Sequence, residues 1–152
     1  MANSYNQVYI HYVFSTKNRK PLIKPSYQER LYAYMGGIAK NNGFTLLQAG
    51  GVEDHVHLLI SLPATFTISN AIKLVKGNSS KWLNDDLFKG KREKFQWQEG
   101  YGAFGIGQSS LDKTIRYIRN QKKHHQKVSF KEEYIALLKK YGIEYDIRYV
   151  FD

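Results

Sequence analysis

The sequence predicts an α+β fold, an antiparallel sheet laid down in the order β-α-β-β-α-β with helices on one face and a helical C-terminal extension. Three observations predict it. Runs that alternate or are rich in β-branched and aromatic residues occupy 8–14, 44–52 and 54–62. Apolar residues at helical spacing follow the first and third of these runs. Glu53-Asp54 is the tight turn from the second run into the third, which makes them a hairpin.

Val8 to Phe14 is the first strand, and Lys17-Asn18-Arg19-Lys20-Pro21 is a basic loop after it. Tyr27, Leu31, Tyr34, Met35 and Ile38 share one face of a helix, and Asn41-Asn42-Gly43 is its stop signal. Phe44 to Val52 and Asp54 to Leu62 form the hairpin. Thr67 or Ser69 caps a second helix with Ile68, Ala71, Ile72 and Val75 on its apolar face, continuing to Trp82-Leu83. Phe95 to Ile106 reads as a fourth strand broken by Gly100, Gly102 and Gly105. A third helix is expected from Leu111 to about Lys123, and a fourth carries Phe130, Tyr134, Leu137, Leu138 and Tyr141 before Gly142 ends it. This order is the split β-α-β, ferredoxin-like arrangement with an addition at its C-terminus.

A chain of 152 residues is most simply one domain, with a core over about 5–125 and an extension over about 126–152. It carries 23 Lys+Arg against 13 Asp+Glu, a formal net charge of +10. Such an excess implies a polyanionic partner, nucleic acid first and an anionic membrane second. No apolar run approaches the ~20 residues that a membrane span needs. The N-terminus, Met1-Ala2-Asn3-Ser4-Tyr5, lacks the layout of a signal peptide, and cysteine is absent, so a disulfide framework and thiolate metal sites are excluded. The expected location is the cytoplasm.

Two groups of residues carry chemistry. Side chains of a strand alternate faces, so His55 and His57 point the same way, roughly 6–7 Å apart along the chain. Two imidazoles so placed can converge on one divalent cation. Glu53, Leu59 and Ser61 share their face, which reads as the polar side of the strand, while Val56, Leu58 and Ile60 supply the core side. Downstream, Tyr117 and Gln121 are four apart on a helix and project together. Lys113, Arg116, Arg119, Lys122, Lys123 and Lys127 surround the tyrosine with positive charge, which draws phosphate and favours phenolate. His124 and His125, one turn on, rank with Gln121 as a third ligand on chemistry alone.

His55-Val56-His57 and Tyr117…Gln121 resemble the single-tyrosine HUH transposases of the smallest bacterial insertion sequences, the IS200-like family, in which HUH stands for histidine, bulky apolar residue, histidine. Asp54, Lys76-Gly77-Asn78-Ser79-Ser80-Lys81 and Trp97-Gln98-Glu99-Gly100-Tyr101-Gly102 extend the similarity, which spans about residues 5–125. The resemblance implies a DNA transposase, a metal-dependent endonuclease and strand transferase on single-stranded DNA, often beside a hairpin. Tyr117 is the implied nucleophile, forming a 5′-phosphotyrosine. His55, His57 and Gln121 are the implied ligands of Mg²⁺ or Mn²⁺. The expected DNA contacts are Lys17, Arg19, Lys76, Lys81, Lys113, Arg116, Arg119 and Lys122. A homodimer is also implied, with one subunit's tyrosine helix completing the other's site.

Three rival readings differ in chemistry. A non-catalytic nucleic-acid-binding module shares the β-α-β-β-α-β order, but Tyr101-Gly102-Ala103-Phe104-Gly105 only loosely matches the aromatic signature of RNA-recognition sheets. An HUH replication initiator or relaxase carries further domains for which this chain has no room. A phosphoesterase would use Glu53, His55 and His57 with water as nucleophile and would form no adduct.

Overall fold

A computed structural model describes residues 3–151. Met1 and Ala2, which entered the reading of the N-terminus, lie outside the described residues, as does Asp152. Four strands, β1 (Tyr9–Ser15), β2 (Thr45–Val52), β3 (His55–Ser61) and β4 (Gly102–Ile106), form one antiparallel sheet in the order β2-β3-β1-β4. The helices are α1 (Pro25–Asn42), α2 (Ile68–Asp85), α3 (Leu111–Arg119), α4 (Gln121–His124) and α5 (Phe130–Lys140). The α+β, ferredoxin-like expectation therefore holds, and so does the C-terminal helical extension.

The local signals act as the chemistry of the chain requires. Thr67 caps α2 by accepting from Asn70 N at 3.0 Å. Gly43 closes α1 in the left-handed region at φ 89°. Ser129 and Glu132 form a reciprocal capping box that fixes the start of α5.

One face of the sheet presents Ile10, Tyr12, Phe14, Val56, Leu58 and Ile60 to α1 and α2, and there the main core is built. Both inter-strand helices lie on this face, as the strand alternation predicts. The other face departs from expectation. His55, His57 and Leu59, read as the polar side of β3, are fully buried. α3 packs on β2 and β3, and α5 lays Phe130, Tyr134, Leu137 and Leu138 against Val13 and Phe104. The extension thus turns a solvated face into a second, smaller core around the histidines.

Two element boundaries also move. The fourth strand is only Gly102–Ile106, because the preceding segment leaves the ladder after Gln98. Trp97 bridges Thr16 and Gln98 N bonds Ser15 O at 2.9 Å. The next carbonyls turn away to the ammonium of Lys76, which donates to Gln98 O, Glu99 O and Gly100 O at 2.7, 3.1 and 2.9 Å. The tyrosine helix is interrupted at Asn120 (φ −95°, ψ 21°), so Tyr117 and Gln121 belong to successive helices. The side-chain amide of Gln121 donates to Tyr117 O at 3.4 Å and the break turns it inward, so that it is buried.

Candidate active site

β1, β3, α3, α4 and α5 each contribute to one buried polar cluster. Cross-strand register pairs Ser15 with His55 and Val13 with His57, which puts His11 of β1 on the same face as the two histidines. His11 Nε2 and His57 Nδ1 are 2.8 Å apart and share one hydrogen. His55 Nδ1 donates to Asp54 Oδ1 at 2.7 Å, so the residue before the histidines orients the first of them.

The centre of the cluster is Glu133, which the sequence did not single out. Its Oε1 lies 2.9 Å from His57 Nε2, 3.4 Å from His55 Nε2 and 3.0 Å from His125 Nε2. Its Oε2 accepts from Gln121 Nε2 at 3.1 Å and from the hydroxyl of Tyr117. A signal for it existed. Phe130, Tyr134, Leu137 and Leu138 form the apolar stripe of α5, and Glu133 is an acid on that stripe. Glu53, the acid considered for a water-using site, is absent from the group of His55, His57, His125 and Glu133.

The donor set fits a divalent cation. One ligand atom from each of His55, His57, His125 and Glu133 falls within 4.8 Å of all the others. Ligands about 2.1 Å from a common ion stand roughly 3.0–3.4 Å from one another, close to the spacing of these nitrogens from Oε1. Tautomers point the same way. His55 Nδ1 donates to a carboxylate and His125 Nδ1 to Val128 O at 2.6 Å. Each neutral ring then directs the lone pair of Nε2 at the Glu133 carboxylate, a repulsive arrangement unless the ring is protonated or a cation lies between. Gln121 Oε1, 3.4 Å from His55 Nε2, is a further oxygen at the same place.

Electrostatics follow from burial and these contacts. Burial, reinforced by His57, brings His11 down to about 3. Burial also brings His57 down to about 4, against the pull of Glu133. For His55, burial opposes the charge, but Asp54 and Glu133 outweigh it and raise the pKa. Burial likewise works against the charge on Glu133, yet His125, His55 and His57 hold its carboxyl well below the usual range.

Tyr117 lies beside its own chain's histidines, 5.7 Å from His57 and 6.0 Å from His11 between ring centroids. The expectation that the basic helix favours phenolate is overturned. Burial first, and then the negative charge of Glu133, push the Tyr117 pKa upward. Arg116 and Arg119 are exposed and do not offset this. A cavity of about 570 Å³ opens onto Tyr117, with Lys113 and Lys140 on its walls beside Ile106, Leu137 and Tyr141. His124 also faces it, its Nε2 3.2 Å from Glu133 Oε2 and without a hydrogen bond among the described residues.

The other basic residues are scattered around this centre. Lys17 is exposed and Arg19 half-buried at the end of β1, the latter 5.5 Å from the Phe151 ring centroid. Lys122 is exposed beside Glu53 and His125. Lys81 is exposed on α2, paired with Asp85 at 2.6 Å. Lys76, expected as a DNA contact, is half-buried and donates its three hydrogens to three carbonyls.

Gly50 of β2 lets α3 approach. A Cβ there would stand 2.1 Å from Ile118 O, the residue after the tyrosine.

Comparison with known proteins locates this architecture. A family model described as "Transposase IS200 like" matches residues 4–121. The transposase for insertion sequence element IS200 of Salmonella typhimurium is 25% identical over 115 residues, covering 73% of this chain and 74% of its own. The ISDra2 transposase TnpA of Deinococcus radiodurans is 24% identical over 122 residues, covering 76% and 84%. Among solved structures, a Deinococcus radiodurans R1 protein assigned as a transposase superposes with a TM-score of 0.63 at 22% identity, over 80% of this chain and 95% of that one. A REP-associated tyrosine transposase bound to a REP hairpin gives 0.56 at 13% identity, over 78% and 68%. The two structural likenesses speak to the fold.

Proposed function

Because this chain belongs to the IS200-like transposase family, we propose that it cuts and rejoins single-stranded DNA beside a hairpin, with Tyr117 as nucleophile. One observation carries the reading: the phenol of Tyr117 lies in the same buried cluster as His55, His57 and Gln121. The tyrosine oxygen bonds to phosphorus, the P–O3′ bond breaks, and the phenolic hydrogen is balanced by the new 3′-hydroxyl. The product is a 5′-phosphotyrosine. Attack on it by a 3′-hydroxyl reverses the sequence, so strands are rejoined without ATP. His55, His57 and Gln121 are the residues proposed to hold Mg²⁺ or Mn²⁺, which when bound supplies positive charge to the phosphate oxygens.

The chain's own groups do the rest. Asp54 fixes the His55 ring so that Nε2 faces the centre. Tyr117 waits as a neutral phenol on Glu133, and entering DNA must take over that contact. Lys113 at the cavity, with Arg116, Arg119, Lys122, Lys17, Arg19 and Lys81 outside it, is proposed to steer and hold the phosphate backbone. Lys76 is proposed to act one step away, by fixing the segment from Gln98 to Gly100. The proposal takes 1–152 as one domain and retains a homodimer, although Tyr117 stands beside the histidines of its own chain. No helix of the described residues is long and apolar enough to cross a membrane.

The test is incubation with single-stranded DNA from the flanks of its own gene plus Mn²⁺, followed by a denaturing gel. A covalent protein–DNA band is expected, abolished by EDTA. DNA binding without cleavage or adduct would instead establish the non-catalytic module.

A further inference from the structure

We infer that His125 and Glu133 are ligands of the bound metal, so that the C-terminal extension completes the site, and that the resulting His₃–Glu set selects a transition-metal ion such as Mn²⁺ over Mg²⁺. The inference rests on the metal-assisted reading above and deepens it. The family match ends at Gln121, so both residues lie beyond it.

Their placement is built into the extension. The capping box of Ser129 and Glu132 sets where α5 begins, and the next residue is Glu133. The hydrogen bond from His125 Nδ1 to Val128 O sets the ring of His125, leaving Nε2 free to face Oε1. Phe130 lies 4.6 Å from His55 between ring centroids, and the stripe of α5 packs on Val13 and Phe104. Apolar packing therefore docks α5, and docking carries a carboxylate into a place where its side chain is only 2% exposed. A buried carboxylate is costly unless charge compensates it. Three imidazoles converge on that carboxylate, with one ligand atom from each of His55, His57, His125 and Glu133 within 4.8 Å of all the others.

The composition of the set decides the ion. Three imidazole nitrogens and one carboxylate oxygen, beside the Gln121 oxygen proposed above, suit a transition-metal ion such as Mn²⁺ better than Mg²⁺, which demands oxygen ligands and retained water. Gln121 donates its amide nitrogen to Glu133 Oε2 and so helps to aim the carboxylate.

The test is a Mn²⁺ titration of the EDTA-stripped, dialysed protein, followed by calorimetry and by electron paramagnetic resonance of free Mn²⁺, with Mg²⁺ as competitor. Wild type is expected to bind one Mn²⁺ that a hundredfold excess of Mg²⁺ does not displace. Glu133→Gln, close in shape, is expected to weaken Mn²⁺ at least tenfold, and His125→Ala to do the same. Pulsed resonance of the wild-type complex should show three imidazole nitrogens on Mn²⁺, a readout that needs no variant to fold. Two nitrogens, Mn²⁺ affinity unchanged in both variants, or displacement by Mg²⁺ each overturns the inference. Should His57→Ala alone abolish binding, the reading of the two strand histidines stands while the role of the extension is lost. Should wild type bind no Mn²⁺, both fall together.

Discussion

The phenol of Tyr117 donates to Glu133, a carboxylate sixteen residues further on that also lies 2.9 Å from His57 Nε2. The proposed nucleophile and a proposed metal ligand therefore meet through one side chain of the C-terminal extension. This contact makes the role of Tyr117 separable by mutation. Tyr117→Phe removes one oxygen, and Glu133 keeps His57, His125 and Gln121. The variant should fold, bind Mn²⁺ and bind DNA like wild type, yet give neither cleavage nor adduct on a denaturing gel. Cleavage at wild-type rate would rule Tyr117 out as nucleophile.

Gly50 predicts a positioning defect at a distance. Alanine there drives a methyl to 2.1 Å from Ile118 O, and backbone cannot move aside as a flexible side chain can. α3 must lift from the sheet, carrying Tyr117 with it. Gly50→Ala should cost about 1–3 kcal/mol in urea unfolding, as overpacking does, and should lower cleavage well beyond its effect on DNA binding. An unaltered urea midpoint would show that α3 does not pack on this strand.

Acid should weaken the metal-free protein. His11 and His57 have folded pKa values of about 3 and about 4, below their ordinary value of 6.5, so the unfolded chain takes up protons first. Stability is therefore lost as pH falls from about 6.5 toward 4. Glu133, held low by its histidines, acts in the same direction further down, while the raised His55 opposes it. Melting in EDTA between pH 7.5 and 4.5 should show a falling midpoint. A flat or rising midpoint would mean that these rings are protonated in the folded state.

Salt should separate the two kinds of basic residue. Binding of single-stranded DNA is expected to weaken steeply with salt, log K falling by roughly 0.7 per unit log salt for each phosphate neutralised. Arg116→Gln with Arg119→Gln should reduce that slope. Lys76→Met should leave the slope unchanged and instead lower the melting temperature, because its ammonium staples three carbonyls. A slope change for Lys76→Met would return that residue to the DNA interface.

Subunit mixing tests how the site is completed. Tyr117 and His57 of the same chain are in contact distance, so a mixture of Tyr117→Phe and His57→Ala proteins should remain inactive. Restored adduct formation in the mixture would establish that the tyrosine helix is exchanged between subunits on DNA.

What the sequence by itself determined is what local geometry dictates. Strand alternation is set by the backbone, so His55 and His57 share a face wherever that strand lies. Helical rise puts Gln121 near Tyr117, and it stays there across the break at Asn120. The order of elements, the cap at Thr67 and the stop at Gly43 were likewise legible. Tertiary structure decided the rest. Glu133 is 76 positions from His57, and His11 is 46 positions away from it, separations across which no short-range preference operates. Docking of α5 closed the face that alternation marked as polar, and the same burial reversed the expected ease of ionising Tyr117. A charge nearby in sequence lost to a charge nearby in space, because Arg116 and Arg119 are exposed to solvent while Glu133, itself buried, touches the phenol.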